Sequence, residues 1–234
     1  MAHLASVPDP SGPCVARLTA LAPLSDADVA VIASAARTAR TLPARREITP
    51  ESLAGIGARM LVWGWAARVR WYPDGRGQVL HLLLPGDLIE AEEIGDTFTN
   101  LFALTQLSLA AAPAAEESAG LAAAYRRSAG LTQHSLLRQI ARLGRLDAYE
   151  RMADLLLELH ERLEIAGLKD GDQFPLPLTQ EVLADCLGLT SVHVNRTLQS
   201  MRRQGVLEMR GSMARLLDAD GLRSLVDYRP LLAR

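Results

Sequence analysis

The side chains of this sequence best suited to chemistry gather in one stretch near its C-terminal end. In GLTSVHVNRTLQSMRRQGVL, from Gly188 to Leu207, Arg196, Arg202 and Arg203 stand with no carboxylate among them. Thr190, Ser191, His193 and Asn195 crowd ahead of the first arginine. From Thr190 to Arg215 there are five arginines (Arg196, Arg202, Arg203, Arg210, Arg215) and one acid, Glu208, so this stretch carries +4 in a chain whose net charge is -2. A guanidinium donates paired N–H groups to a phosphate or to the O6/N7 edge of guanine. The chemistry on offer is recognition of a polyanion rather than bond making.

Other chemistry finds little support. His3, His81, His134, His160 and His193 are scattered, with no HExxH pair, and neither a Gly-rich phosphate loop nor a nucleophile elbow occurs. No enzymatic activity is expected. Cys14 and Cys186 are too far apart to suggest a metal site or a disulfide, so no metal and no cofactor is expected, and a reducing, cytoplasmic location is. Cys186 offers either a redox gate or an inert buried thiol, and the second is the simpler reading. No signal-peptide core precedes Arg17. The longest apolar run, LFALTQLSLAAAPAA from Leu101, contains Gln106 and Ser108 and breaks at Pro113, so no membrane partner is expected.

The elements that must position the arginines follow from local spacing. QEVLADCL, from Gln180, predicts a short helix with Thr179 as its N-cap, and a second helix runs from about Thr190 to Gln204 with Thr190 as its cap. Gly188 supplies the left-handed turn residue between them. Ala184 is small where the helices cross, Val194 pins the second helix, and Leu183, Leu187 and Leu198 complete a small core. This is helix-turn-helix spacing, and a helix fits the major groove of B-DNA with its N-terminal residues at the base edges. VLEMRGSMARLLD reads as a hairpin with Arg210, Gly211 and Ser212 at its tip, against phosphate. The expected DNA-contacting set is Thr179, Thr190, Ser191, Val192, His193, Asn195, Arg196, Arg202, Arg210, Gly211 and Ser212. Ser191 and Asn195 permit close approach, Val192 offers its methyls to thymine, and Arg196 reads guanine.

Upstream, residues 1–16 read as a flexible Pro-rich tail, and a helix is expected from Asp26 to Ala39 behind Ser25 as cap. Between Arg46 and Ala112 the pattern is that of a small β domain. In AARVRWYPDGRGQVLHLLLPGD, Arg68 and Arg70 alternate with Val69 and Trp71, and PDG and PGD mark turns. The β domain is assigned to 17–130. Helical spacing follows over 131–166, with Leu136, Ile140 and Leu143 as a stripe for a partner helix and Gly144 as a break. Gly167, Gly171, Pro175 and Pro177 mark a linker, and 170–234 form the reading domain.

Three stretches carry a resemblance to a known family: LGRLDAYERMADLLLELHERL, FPLPLTQEVLADCLGLTSVHVNRTLQSMRRQGVL and GWAARVRWYPDGRGQVLHLLLPGD. They are similar to the dimerisation segment, winged helix and β-roll of the Crp/Fnr superfamily of bacterial transcription regulators. The resemblance implies an α+β chain: an N-terminal β jelly-roll of the cyclic-nucleotide-binding kind, a long dimerisation helix and a C-terminal winged helix-turn-helix. It implies a homodimer reading a palindrome of TTGA-like half-sites in double-stranded DNA, with RNA polymerase as a further partner. The departures are informative. Cyclic-AMP binders in the family carry Gly-Glu-Leu after the PGD-type turn and later an arginine, whereas here LIEAEEIGD follows and places Glu90, Glu92 and Glu93 there. Like charge would oppose a cyclic phosphate, so no dependence on cyclic AMP is expected. Cys14 stands alone where iron–sulfur relatives carry a cluster, and His81 is the one candidate haem ligand, on a strand whose alternation already explains it. Val192 replaces a glutamate of many relatives. Either an effector gates binding or the chain binds DNA constitutively, and the missing phosphate grip favours the second. The alternative in another class is a protein-interaction module that no longer reads DNA.

Overall fold

The computed structural model describes residues 11–53, 57–94, 96–116 and 118–232. Two helices come first, α1 (Gly12–Leu21) and α2 (Asp26–Arg37). The Ser25 hydroxyl accepts from Asp28 N and the Asp28 carboxylate accepts from Ser25 N, a reciprocal box that starts α2 where the sequence placed it. The flexible tail expected over 1–16 is corrected from residue 11 onward. Helix α1 starts at Gly12, and Cys14, Leu18 and Leu21 are buried beneath it; the rest of the expected tail lies outside the described residues.

The β domain contains β1 (Arg40–Leu42), β2 (Glu47–Ile48), α3 (Pro50–Leu53), β3 (Arg59–Trp63), β4 (Ala66–Trp71), β5 (Gly77–Leu83), β6 (Leu88–Ile89), β7 (Asn100–Ala103) and β8 (Leu107–Ala111). They pair antiparallel into two four-stranded sheets, β1-β8-β3-β6 and β2-β7-β4-β5. The space between is filled by Ile48, Leu61, Leu83, Ile89, Leu101, Leu107 and Leu109, so the roll is packed with side chains. The PDG turn joins β4 to β5 with Gly75 at φ +83. The PGD turn has a structural task. A Cβ on Gly86 would lie 2.7 Å from the Pro13 carbonyl oxygen, so α1 can seat there only against a glycine.

Asp87 of that turn is buried and holds three elements together. It accepts from Leu84 N at 2.7 Å, from Arg162 at 2.6 Å, and pairs with Arg17 of α1 at 2.7 Å. Two helices follow the roll, α4 (Ala119–Arg145) and α5 (Ala148–Ile165). The boundary expected at 130/131 therefore falls inside α4, and so does Gly144. The break lies at Leu146–Asp147, where Asp147 and Glu150 form the next capping box. Asp154, Glu158 and Arg162 recur every fourth residue along α5 and share one face. Asp154 and Glu158 meet Arg142 of α4 at 2.8 and 2.5 Å, and Arg162 meets Asp87.

The remaining elements are β9 (Gln173–Pro175), α6 (Gln180–Leu187), α7 (Ser191–Arg203), β10 (Leu207–Arg210), β11 (Met213–Leu216) and α8 (Ala219–Leu225). The supposed linker thus contributes a strand, which pairs with β11. One continuous apolar core runs from Trp65, Val69, Val79 and Leu82 on the roll, through Met152, Leu156 and Leu159 of α5, to Phe174, Leu187 and Val194 of the reading unit. Among the described residues no helix is long and apolar enough to cross a membrane.

Candidate nucleic-acid interface

Helices α6 and α7 form where the caps demand. The Thr179 hydroxyl accepts from Val182 N at 3.3 Å and the Thr190 hydroxyl from His193 N at 3.3 Å. Gly188 sits at φ +61 and ψ +39, the left-handed geometry that ends α6. Val194 is fully buried, and Thr197, Leu198 and Met201 continue the inward ridge of α7. That ridge fixes which residues face outward.

The outward face holds Val192, His193, Arg196, Gln199, Arg202 and Arg203. Arg196 and Arg203 make no hydrogen bond or ion pair among the described residues, so both guanidiniums keep their donors for something outside the chain. Val192 is 59% exposed, a methyl-bearing side chain presented to solvent beside the arginine. Thr190 bonds the His193 ring at 3.2 Å. Asn195 and Ser191 are half-buried. Asn195 donates to Gln180 Oε1 at 3.1 Å and accepts from Gln199 Nε2 at 2.8 Å, which ties α7 to the start of α6. Its amide is thus engaged within the unit, where the sequence reading had it approaching DNA. Arg202 leans on the Met209 sulfur at 3.6 Å.

The wing forms as expected, with Gly211 at φ +59 at its tip and Ser212 exposed. Arg210 is paired there with Glu208 at 2.6 Å, so the tip carries less free charge than the count of arginines suggests. Gln199 is not singled out by the sequence and Arg203, counted there in the charge, is outside the expected contact set, although the two lie three and seven residues after Arg196, the helical interval that shares a face.

The sequence-expected dimer stripe divides. Ile140 is 68% exposed and Leu136 half-buried, while Leu143 is half-buried and turns toward the Gly188 turn. The neighbour missed from sequence is Leu137, 59% exposed. Arg126, Gly130, Gln133, Leu137, Ile140 and Gly144 are all exposed, and their spacing alternates between four and three residues.

In the roll, Glu93 pairs with Arg68. Burial and the neighbouring Glu93 and Glu92 raise the Glu90 carboxyl above its ordinary value. His81 is buried against Arg162, and burial with that cation pushes its imidazole down to about 3. The cavity beside His81 holds about 20 Å³, far short of a haem. Cys186 is 2% exposed, and burial raises its thiol far above the ordinary range, which disfavours the thiolate that a redox gate uses. Cys14 is likewise pushed up to about 12 by burial.

Residues 150–225 match the Crp-like helix-turn-helix domain. The chain is 31% identical over 179 residues to the transcriptional activator protein FnrL of Cereibacter sphaeroides, covering 69% of this chain and 71% of that one. It is 33% identical over 157 residues to the nitrogen fixation regulation protein FixK of Bradyrhizobium diazoefficiens, covering 62% of this chain and 64% of that one. The structure of FixK2 from Bradyrhizobium japonicum superposes with a TM-score of 0.65 at 26% identity, over 80% of this chain and 96% of that one. These relatives are named as regulators of transcription and nitrogen fixation. With its capped, acid-free outward helix, its wing and its β-roll, the chain belongs to the Crp/Fnr superfamily of DNA-binding transcription regulators.

Proposed function

We propose that the chain acts as a homodimer that reads a palindromic operator of TTGA-like half-sites and needs no cyclic nucleotide. The observation that carries this reading is Arg196, exposed and unpartnered among the described residues at the middle of an outward helix face that has no acid. A guanidinium left free among the described residues and presented beside Val192 suits a guanine edge next to a thymine methyl. Support for the dimer comes from the other end of the chain. The exposed heptad on α4 pairs Leu137 with Ile140, and its glycines at 130 and 144 allow two helices to approach closely. Support for independence from cyclic nucleotide comes from Glu90, Glu92 and Glu93 after the PGD turn, and from the side chains that fill the roll.

The test is selection from a random duplex library by purified, reduced protein with no added ligand. A recovered palindrome with half-site centres about one helical turn apart, about 10 base pairs, is the expected result. If a folded protein enriches no sequence, reading without an effector is refuted. If it captures protein partners while showing no sequence preference, the interaction-module reading takes its place.

A further inference from the structure

The segment after α8 turns back. Asp227 takes φ +46, and Tyr228 N donates to the Arg223 carbonyl at 2.9 Å. The chain then crosses α5. The Tyr228 hydroxyl donates to one oxygen of Glu161 at 2.7 Å, and Leu231 N donates to the other at 2.8 Å. It ends on α4. Arg138 lies 4.2 Å above the centre of the Tyr228 ring, donates to the Arg229 carbonyl, and is held from behind by Asp154 at 3.1 Å. Leu231 and Leu232 pack on the apolar cluster around Leu18 and Leu131.

The reading unit meets α4 at several places. Besides the covalent link at Leu146–Asp147, Gln139 donates to the Cys186 carbonyl of α6 at 2.5 Å, and Arg151 of α5 donates to the Leu143 and Leu187 carbonyls. The strap adds an anchor at Arg138, two turns before the link, through the segment after α8 rather than through α6. Each added anchor further restricts how the unit can turn about the others. Arg138 is half-buried beside the inward ridge of Leu131, Ser135 and Arg142, with its guanidinium over the Tyr228 ring, while Leu137 and Ile140 are exposed. The strap leaves the proposed dimer face free while fixing the head relative to it.

We infer that residues 228–232 set the angle between α4 and α7, with Arg138, Glu161 and Tyr228 as positioning residues, and so set the distance between the two reading helices of a dimer. This rests on the dimeric reading proposed above. The expected consequence concerns spacing rather than simple affinity. Operators with the selected half-sites are compared at the selected spacing and with an insert of half a helical turn, about five base pairs. An isolated half-site serves as a third duplex. The wild-type chain is expected to prefer the selected spacing by about 100-fold. A chain ending at Asp227 is expected to keep its half-site affinity and to lose most of that preference, to below about 10-fold. Tyr228→Phe keeps the ring over Arg138, loses the bond to Glu161, and is expected to fall between.

An unchanged spacing ratio in both variants overturns the inference. Equal weakening on all three duplexes also overturns it, since the strap then only supports folding. Should the truncated chain fail to fold, Tyr228→Phe decides alone by the same ratio. A wild type without any spacing preference sinks the dimeric reading itself, and the strap's role with it.

Discussion

Arg142 is the residue whose loss the structure prices most directly. Its Nε meets Asp154 at 2.8 Å, one terminal nitrogen meets Glu158 at 2.5 Å and the other meets Gln139 Oε1 at 2.6 Å, all in the buried seam between α4 and α5. Arg142→Met fills much of the volume but removes the cation, leaving two carboxylates in low dielectric. Each keeps one partner: Arg138 for Asp154 at 3.1 Å, and Arg162 for Glu158 at 3.3 Å. Breaking a buried pair by removing one member costs about 3–5 kcal/mol. The Glu158 carboxyl gives the size of its whole set of cationic partners, Arg142 and Arg162 together. Burial alone would raise the Glu158 carboxyl, yet Arg142 and Arg162 hold it down, from 4.5 to about 2. At about 1.4 kcal/mol per unit, the contribution is on the order of 3 kcal/mol. Because the folded value is the lower one, this stability is present above the ordinary glutamate range and disappears as pH falls from about 5 toward about 2. The assay is urea unfolding followed by tryptophan fluorescence, at pH 7 and at pH 3, for wild type, Arg142→Met, Glu158→Leu and the double variant. The single variants are expected to lose about 3–5 kcal/mol at pH 7, and the double variant to recover about 1–4 kcal/mol of it. A loss below about 1 kcal/mol, the range of an exposed surface pair, would refute the reasoning.

Two further predictions concern the interface. Arg196→Ala is expected to weaken operator binding by about 1–3 kcal/mol per half-site and to leave the unfolding midpoint unchanged, because the side chain has no partner among the described residues. Titration against the selected operator checks it, and undiminished affinity removes Arg196 from base readout. Cys186 is expected to resist peroxide, with operator binding intact after treatment, since its thiol is buried and raised; mass spectrometry showing the residue oxidised together with lost binding would restore the redox gate.

The reading unit was legible from sequence because its signals are local. Thr179, Gly188 and Thr190 fix the ends of α6 and α7 within a few residues, and the apolar ridge through Val194 and Leu198 settles the facing. Helix α1 was hidden because its strongest anchor is distant: Arg17 pairs with Asp87, and Gly86 opens the space that α1 fills. Strand β9 was hidden because three residues show no period, and its ladder partner lies on β11. At the α4–α5 break the glycine misled. Gly144 is exposed and tolerated within the helix, while the D-x-x-E box at Asp147 and Glu150 marked the true start of α5. The dimer stripe slipped by part of a turn, because Leu136, Leu137, Ile140 and Leu143 are all apolar and only packing shows that Leu143 belongs to the Gly188 turn.

Helix α5 shows why a clean division into β domain, connecting helices and reading domain misdescribes this chain. MADLLLELHERL carries apolar residues at helical spacing with Asp154, Glu158, His160, Glu161 and Arg162 among them. In the fold almost all of it is buried, charges included. Its leucines complete the core of the reading unit on one side and meet the outer face of the β4-β5 sheet on the other. Its charged face, Asp154, Glu158 and Arg162, faces arginines of α4 and the Asp87 carboxylate of the PGD turn. A change in the roll that moved Asp87 would act on Arg162, then on Glu158 and Arg142, without any ligand pocket as intermediary. The PGD turn is one end of an ion-pair chain that reaches the helix beneath the DNA-reading face. In this chain the sequence PGD serves as a structural fastening between the roll and the reader.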